Sequence, residues 1–105
     1  MTPIEALHKS LSMDKRIPKL EKIIATDAEQ SFYYAMYMIK GAWDQGEEVI
    51  SKDAYISYFY AINILEDIFE KGHHVIFKSQ YKDDYIGFLK KNNKYDEKKL
   101  LQWMI

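Results

Sequence analysis

The chain has 105 residues, of which 48% are hydrophobic and 30% are charged, and it contains no cysteine. This balance is typical of one globular domain and argues against a disordered chain. The absence of cysteine excludes disulfides and thiolate metal sites and is compatible with a reducing, cytoplasmic location. The N-terminus carries Glu5 and no long apolar core, so we expect no signal peptide. No apolar run reaches the roughly 18 residues of a membrane span.

Charge is distributed unevenly, although the net charge is only -1. Residues 27–70 hold two lysines against nine acids, whereas residues 71–105 hold eight lysines against four acids. Such a distribution is usual for a solvated surface, and it also suits a polarised molecule that steers a charged partner. Composition leaves both interpretations open.

The first two predicted helices begin at prolines. Thr2, Pro3 and Glu5 form the pattern of a capping box with proline at the first helical position, and Pro18 opens the second helix in the same way. Caps and apolar spacing along the rest of the chain predict six more helices. The eight predicted helices span residues 3–11, 18–25, 28–40, 44–51, 54–66, 70–77, 80–91 and 96–104.

The three longer helices in the middle of the chain each follow a residue that can cap them, namely Asp27, Asp53 and Ser79. The first of these helices ends near Lys40-Gly41, where we expect the glycine to adopt the left-handed conformation that ends a helix. The helix over 54–66 is apolar on almost every side, which is typical of a helix covered by several neighbours.

The middle of the chain is an internal repeat with a period of 26 residues. Residues 27–52 and 53–78 are identical at nine of 26 positions without a gap. Similarity at a fixed period predicts stacked units, because one helical hairpin cannot bury its apolar face alone. We therefore predict an all-α fold, in which a single domain over residues 1–105 stacks short helical hairpins like an α-solenoid. The predicted parts are three units, at about 17–41, 43–67 and 69–93, and terminal helices over 3–11 and 96–104.

Small residues recur four positions apart in the longer helices. Ser31 and Ala35 in one unit correspond to Ser57 and Ala61 in the next. Because residues four apart share one face of a helix, we expect this ridge to be the seam between successive long helices. The equivalent positions in the third unit are Asp83 and Gly87.

Two further pairs repeat, Tyr34 with Tyr60 and Gly46 with Gly72. We expect the tyrosine rings to fill the space beside the ridge and their hydroxyls to bond groups of the next unit. Glycine early in a short helix costs about 1 kcal/mol relative to alanine. Its repetition therefore indicates a close helix contact or a bent first turn.

Within a unit, a bulky aromatic residue is followed by an acidic stretch, an isoleucine, Lys-Asp and then Tyr-Ala. The residues are Trp43, Glu47, Ile50, Lys52, Asp53, Tyr60 and Ala61, with Lys40-Gly41 ending the preceding unit. Over about residues 16–90, this order resembles short helical repeats in uncharacterised proteins of large tailed bacteriophages and some giant viruses. The chain departs from the pattern at Asp67 and at His73-His74. The resemblance implies an α-helical array, is compatible with a phage origin and brings no catalytic residues.

Five residues are candidates for contact with a partner. Glu47 and Glu48 are adjacent acids in one short helix, and His73 and His74 are the adjacent histidines at the equivalent place in the next unit. Trp103 belongs to the apolar run over residues 100–105. An ordinary solvated helix surface would also explain the acids and the histidines.

These residues do not indicate catalysis or a cofactor. Adjacent histidines on a helix point about 100° apart and do not readily share a metal ion. Adjacent acids do not converge as an acid–base pair must, and helix-terminus electrostatics already explains an acid there. The sequence has no nucleophile elbow and no glycine-rich phosphate loop. We predict no enzyme, no cofactor and no metal.

The C-terminal third contains two features that concern partners. Residues 90–99 hold five lysines, but the chain has a single arginine and a slight negative charge, so nucleic acid is not the expected partner. The apolar run at 100–105 either folds back onto the third unit or meets a second copy or another protein. A homo-oligomer through this run is therefore left open.

These features together favour a binding protein. We expect a small non-catalytic protein–protein interaction module, acting in the cytoplasm, with another protein as its partner and no membrane. If the chain is phage-encoded, it would be an accessory protein that acts in the host cytoplasm on a host or phage protein. The alternative is an inhibitor or modulator of a nucleic-acid-processing enzyme that acts through the acidic face.

Overall fold

The computed structural model describes the backbone of residues 1–104 and the side chains of residues 1–102. Within that part of the chain the fold is all-α, with eight helices and no strand. The predicted fold class is confirmed. The helices are α1 (Pro3–Met13), α2 (Pro18–Ile24), α3 (Ala28–Tyr34), α4 (Asp44–Ile50), α5 (Ala54–Tyr60), α6 (His73–Phe77), α7 (Lys82–Lys91) and α8 (Glu97–Met104).

Side-chain caps begin several of these helices where the sequence predicts them. Thr2 and Glu5 exchange hydrogen bonds as a capping box, at 2.9 and 3.2 Å. Asp27, Asp53 and Asp96 each accept a hydrogen bond from the backbone N–H three residues later, at 2.9, 2.8 and 3.0 Å. Each cap satisfies a donor that has no partner inside its helix.

The ends of α3 and α5 differ from the prediction. Each helix continues into a five-residue π-helical turn, at Ala35–Ile39 and Ala61–Leu65, and the next residue has positive φ, 60° at Lys40 and 52° at Glu66. The Lys40 N–H donates a hydrogen bond to the Ala35 carbonyl, the first of the π-helical turn, at 2.7 Å. The left-handed residue is therefore Lys40, one residue before Gly41. The expectation that Gly41 would take the left-handed conformation is therefore wrong.

Together with their π-helical turns, α3 and α5 are the long helices of the fold, and each lies between two short helices. Ser31 of α3 donates a hydrogen bond to the Ile24 carbonyl at the end of α2, at 3.0 Å. Ser57 of α5 donates equivalently to Ile50 at the end of α4, at 2.7 Å. On their other sides, α3 packs against α4 and α5 packs against α6. The serine–alanine ridge is buried as expected, but these bonds join each long helix to a short one rather than to the next long helix.

Gly46 and Gly72 allow this close packing. A Cβ atom on Gly46 would lie 2.6 Å from the Trp43 ring and 3.0 Å from the Cβ atom of Ser31. A Cβ atom on Gly72 would lie 2.6 Å from the Phe69 ring and 2.7 Å from a serine oxygen of α5. A close contact, not a bent first turn, explains the repeated glycine.

The third unit departs from the 26-residue spacing. Helix α6 begins at His73 rather than at residue 70, so Gly72 precedes it as the N-cap. The equivalents of the small ridge residues, Asp83 and Gly87, are exposed. Tyr85, which follows Tyr60 by 25 residues, is the fully buried tyrosine of α7. One residue fewer between the units turns a different face of α7 inward.

The start of α7 is also later than the sequence predicts. Ser79 was expected to cap a helix starting at residue 80, but α7 begins at Lys82 and its N-cap is Tyr81, without a side-chain cap. The Ser79 hydroxyl instead donates to the Ile76 carbonyl, at 2.6 Å. It also accepts the N–H of Tyr81, at 3.1 Å.

The terminal helices cover the two ends of the stack. Helix α1 packs against α2 and α3, and α8 packs against α6. Leu100 of α8 is buried whereas Leu101 is exposed, so the C-terminal run folds back onto the third unit at least through Leu100. The side chains of Trp103, Met104 and Ile105 lie outside the described residues, and the homo-oligomer through this run stays a prediction.

Candidate binding groove

A groove lies between the N-terminal halves of α3 and α5. Its volume of about 570 Å³ falls within the roughly 300–1,000 Å³ typical of ligand clefts. The walls come from equivalent positions of two successive units, because the groove lies between their long helices. We call it the aromatic groove, and its lining residues are Asp27, Ala28, Glu29, Phe32, Tyr33, Asp53, Tyr55, Ile56 and Phe59.

The wall on α5 presents an aromatic ring held in place by other rings. Tyr55 is 50% exposed. Its ring centroid lies 4.6 Å from that of Phe59 and 5.6 Å from that of Tyr81. Because these contacts restrain the ring before any ligand arrives, little rotamer entropy remains to be lost on binding.

The wall on α3 is built in a similar way around Tyr33. Its ring packs edge-on against Phe32 at 5.7 Å and stacks on Tyr37 at 6.3 Å. The Tyr33 hydroxyl donates a hydrogen bond to the Glu29 carboxylate at 3.2 Å. This hydrogen bond raises the pKa of Tyr33 above its ordinary value, so the hydroxyl stays protonated at neutral pH.

Three carboxylates accompany these rings. Asp27 and Asp53 each use one oxygen to cap a helix, and Glu29 uses one to accept the tyrosine hydrogen bond. None of the ion pairs formed among the described side chains involves these three acids. By contrast, Glu21 and Glu47 of the short helices each pair with a cation. No ion pair of the described residues therefore neutralises the groove acids.

The corresponding interval between α5 and α7 is closed by Tyr81. This ring stacks on Tyr58 with a centroid distance of 5.3 Å and an interplanar angle of 12°. It also meets the ring of Tyr55 edge-on. In the 26-residue register Tyr81 corresponds to Tyr55 and Tyr58 to Phe32, and no stacking is found between Tyr55 and Phe32 within the described structure. The first interval is therefore open where the second is filled.

A buried Tyr34–Glu21 pair holds α3 against the preceding short helix. The fully buried Tyr34 donates a hydrogen bond to the Glu21 carboxylate, which also accepts one from the Arg16 Nε at 2.7 Å. Burial raises the pKa of Glu21, but the bonds from Arg16 and Tyr34 outweigh burial and hold it below its ordinary value. The carboxylate is therefore ionised at neutral pH.

Tyr60 makes the equivalent connection for α5. Its hydroxyl donates to the Glu47 carboxylate at 2.7 Å and accepts the Trp43 N–H at 2.9 Å. Burial and the bond to Glu47 raise the pKa of Tyr60 well above its ordinary value. The hydroxyl thus bonds the short helix of its own unit, not the next unit as predicted, while its ring packs on Phe69 of the next unit at 5.0 Å.

The third unit retains only part of this connection. Tyr85 accepts the Phe69 N–H at 3.1 Å, and burial raises the pKa of Tyr85 to about 12. The position equivalent to Glu21 and Glu47 is His73. Its ring packs beside Tyr85 with a centroid distance of 6.1 Å. Tyr34 and Tyr60 anchor α3 and α5, the two helices that form the groove walls, and Tyr85 anchors α7.

The structure separates the predicted partner-binding residues by exposure. Glu47 is largely enclosed and holds Tyr60 and Lys71, whereas Glu48 and His74 are exposed. His73 is fully buried, so its ring is not accessible to a partner, which corrects the prediction of a surface histidine pair. The side chain of Trp103 lies outside the described residues.

The buried environment of His73 determines its protonation state. Its ring lies 4.1 Å from that of Phe77. Burial, together with the neighbouring His74, lowers the pKa of His73, although a hydrogen bond with the backbone of Leu100 acts in the opposite direction. The ring is therefore neutral at neutral pH and belongs to the packing between α6 and α8.

Sequence reasoning missed the aromatic groove. Its residues were interpreted as caps and packing material, because charge and adjacency drew the prediction to the short helices. The available signal was the acid and the tyrosines in the first two turns of α3 and α5, at Glu29, Tyr33 and Tyr55. These positions are polar or amphipathic on helices that are otherwise apolar.

The fold and site define an all-α stack of helical hairpins with an open groove between two long helices. Comparisons with family models, with curated proteins and with solved structures found no match. Among the described residues, no three His, Cys, Asp or Glu side chains are grouped as metal ligands. None of the described helices combines the length and apolarity that crossing a membrane requires.

Proposed function

We propose that the chain is a small non-catalytic protein–protein interaction module and that the aromatic groove is its docking surface. The observation that carries this proposal is a concave site walled by restrained, partly exposed tyrosines. Tyrosine supplies a large contact area at a low entropy cost and is enriched in protein interfaces. The resemblance to phage repeats adds the expectation of a host or phage protein as the partner.

A pull-down with the full chain tests this proposal. We expect one partner in stoichiometric amount that survives moderate salt. The double variant Tyr33→Ser/Tyr55→Ser removes a ring from each wall and should lose that partner, whereas Met13→Ser should retain it. Met13 serves as the control because it is 51% exposed, like Tyr55 at 50%, and does not line the groove. Circular dichroism establishes that each variant is folded.

If the double variant retained the partner, the docking surface would lie outside the aromatic groove. Failure to recover any partner with the wild-type chain would count against an interaction module. Capture of a nucleic-acid-processing enzyme would favour the alternative function as its modulator. That outcome would still identify a surface, through the variant that loses the enzyme.

A further inference from the structure

The lining of the aromatic groove carries three acids and no base. Helices α3 and α5 begin beside the groove, and each helix N-terminus contributes about half a positive charge. Three full carboxylate charges exceed these partial charges, so the groove stays negative. Since no described ion pair cancels them, the groove attracts a cation and repels an anion such as a phosphate.

The aromatic walls favour the same class of ligand. A guanidinium or ammonium group near the face of an aromatic ring gains about 0.5–1 kcal/mol at an exposed site, and more once it is desolvated. Tyr55 is half exposed, and Tyr33 lies across the groove from it. The apolar stem of a lysine or arginine would pack against Phe32 and Ile56, which are the most buried residues of the lining.

The carboxylates can accept hydrogen bonds from such a cation. Each of Asp27, Glu29 and Asp53 uses one oxygen in the described structure and keeps the other available. Charge-assisted hydrogen bonds to these oxygens would orient the ligand as well as attract it. A neutral apolar peptide would leave the three charges unpaired as it covered them, which costs free energy.

We propose that the aromatic groove binds a basic peptide segment of the partner protein, with an arginine or lysine side chain placed between the tyrosine rings and the carboxylates. This proposal rests on the proposed function and specifies the chemistry of the segment that docks. It also gives a use to the negative charge concentrated in the middle of the sequence, where residues 27–70 hold nine acids.

A defined probe tests the preference for a cation. The probe is a fluorescent peptide that alternates arginine with serine, and its control carries citrulline, which is nearly isosteric but neutral, in place of arginine. Fluorescence anisotropy at low salt should show that the arginine peptide binds at least about tenfold more tightly. The advantage should shrink as salt is added, because exposed charges are screened.

Charge-neutral variants locate the effect in the groove. Asparagine caps a helix about as well as aspartate, so neutralising the groove acids leaves the helix starts intact. The groove variant should bind the arginine peptide about as weakly as wild type binds the citrulline peptide. The control variant has the same net charge and should bind like wild type. The groove variant is Asp27→Asn/Glu29→Gln/Asp53→Asn, and the control is Glu48→Gln/Glu70→Gln/Asp83→Asn.

Two results would overturn the inference. Equal binding of the citrulline and arginine peptides would show that the groove has no cation preference. Equal loss of binding in the groove and control variants would show that net charge, not the groove, attracts the peptide. If the pull-down partner still depends on Tyr33 and Tyr55 in either case, the proposed function stands and only the basic segment is excluded.

The aromatic groove could instead be occupied by a second copy of the chain, and this case must be distinguished from a foreign segment. Residues 90–99 are themselves rich in lysine. Sedimentation equilibrium of the wild-type chain should show a monomer at the concentrations used for binding. An oligomer that dissociates in the groove variant would assign the groove to self-association and overturn the proposal of a foreign segment.

Discussion

The Tyr60 hydroxyl is the clearest single-residue test of the stacking. It lies between the Glu47 carboxylate and the Trp43 N–H, and the whole side chain is buried. Tyr60→Phe keeps the ring but leaves the Trp43 N–H without its partner. We expect the free energy of unfolding, measured by urea denaturation, to fall by about 1–3 kcal/mol.

Tyr37→Phe is the matched control, because the Tyr37 side chain is exposed and its hydroxyl has no partner among the described residues. Its free energy of unfolding should change by less than about 0.5 kcal/mol. Equal stability of the two variants would mean that the Tyr60 hydroxyl does not connect α5 to α4.

At this scale the sequence contained more than we predicted from it. Glu21 precedes Tyr34 by 13 residues, and Glu47 precedes Tyr60 by the same distance. Both units therefore contain the same hydrogen-bonded glutamate–tyrosine pair. The repeat showed that these positions matter, but only the packing shows that they touch. The sequence could not show which unit each tyrosine hydroxyl bonds, because a tyrosine ring can pack against one unit while its hydroxyl reaches another.

Helix α4 depends on the glycine in its first turn. In a helix, alanine is favoured over glycine by about 1 kcal/mol. At Gly46, however, the added Cβ would meet the buried Trp43 ring at 2.6 Å, and overpacking of this kind costs about 1–3 kcal/mol. The difference between the two effects is a fall in the free energy of unfolding of up to about 2 kcal/mol for Gly46→Ala, which urea denaturation measures.

Gly87→Ala provides the opposite case within α7. A Cβ there meets nothing within 4 Å, so the intrinsic preference for alanine should raise the free energy of unfolding by about 0.5–1 kcal/mol. The same sign for both substitutions would show that Gly46 is not a site of close contact.

The π-helical turn after α3 ends at a strained residue. Lys40 has φ 60°, a conformation that costs a residue with a Cβ atom about 1–2 kcal/mol. Lys40→Gly should therefore raise the midpoint of thermal unfolding, corresponding to a gain of about 0.5–1 kcal/mol. Lys22→Gly, within the exposed side of α2, should lower the midpoint. A lower midpoint for Lys40→Gly would contradict the left-handed end.

The sequence predicted helix starts better than helix ends. Starts depend on local capping by side chains such as Asp27 and Asp53, and these caps are visible in the sequence. The π-helical turns have no comparable pattern, and the glycine after Lys40 suggested an ordinary end. In the third unit, the loss of one residue before Tyr85 shifted the inward face of α7, which a fixed register could not reveal.

For the molecule as a whole, His73 links stability to pH. The folded chain holds this ring neutral, with its pKa lowered below 6.5 chiefly by burial. As pH falls, the unfolded chain takes up the proton first, so the contribution of His73 to stability is complete above about pH 6.5 and decreases below it. We expect urea denaturation at pH 7.5, 6.5 and 5.5 to show this decrease.

Two substitutions separate His73 from the other titrating groups. His73→Leu removes the proton site and should flatten the decrease between pH 6.5 and 5.5. His74→Gln changes an exposed neighbour and should leave most of the decrease in place. An unchanged pH dependence in His73→Leu would assign it to other groups.

The fold of the whole molecule was predictable because repetition limits how units can stack. Two copies of one amphipathic hairpin bury each other's apolar faces in the same way, and the ridge at Ser57 and Ala61 is buried accordingly. The groove was not predictable, because it depends on a gap between two elements. The corresponding gap between α5 and α7 is filled by the ring of Tyr81, whose position no local pattern gives.

Tyr81 would also set the valence of the proposed interaction module. Duplicating a unit ordinarily duplicates its surfaces, and a chain with two equal clefts could bridge two partner molecules. Since Tyr81 fills the second interval, the described structure has one aromatic groove and would engage one basic segment at a time. If the aromatic groove is the docking surface, a chain with one such groove would mask a site on a single target rather than crosslink targets.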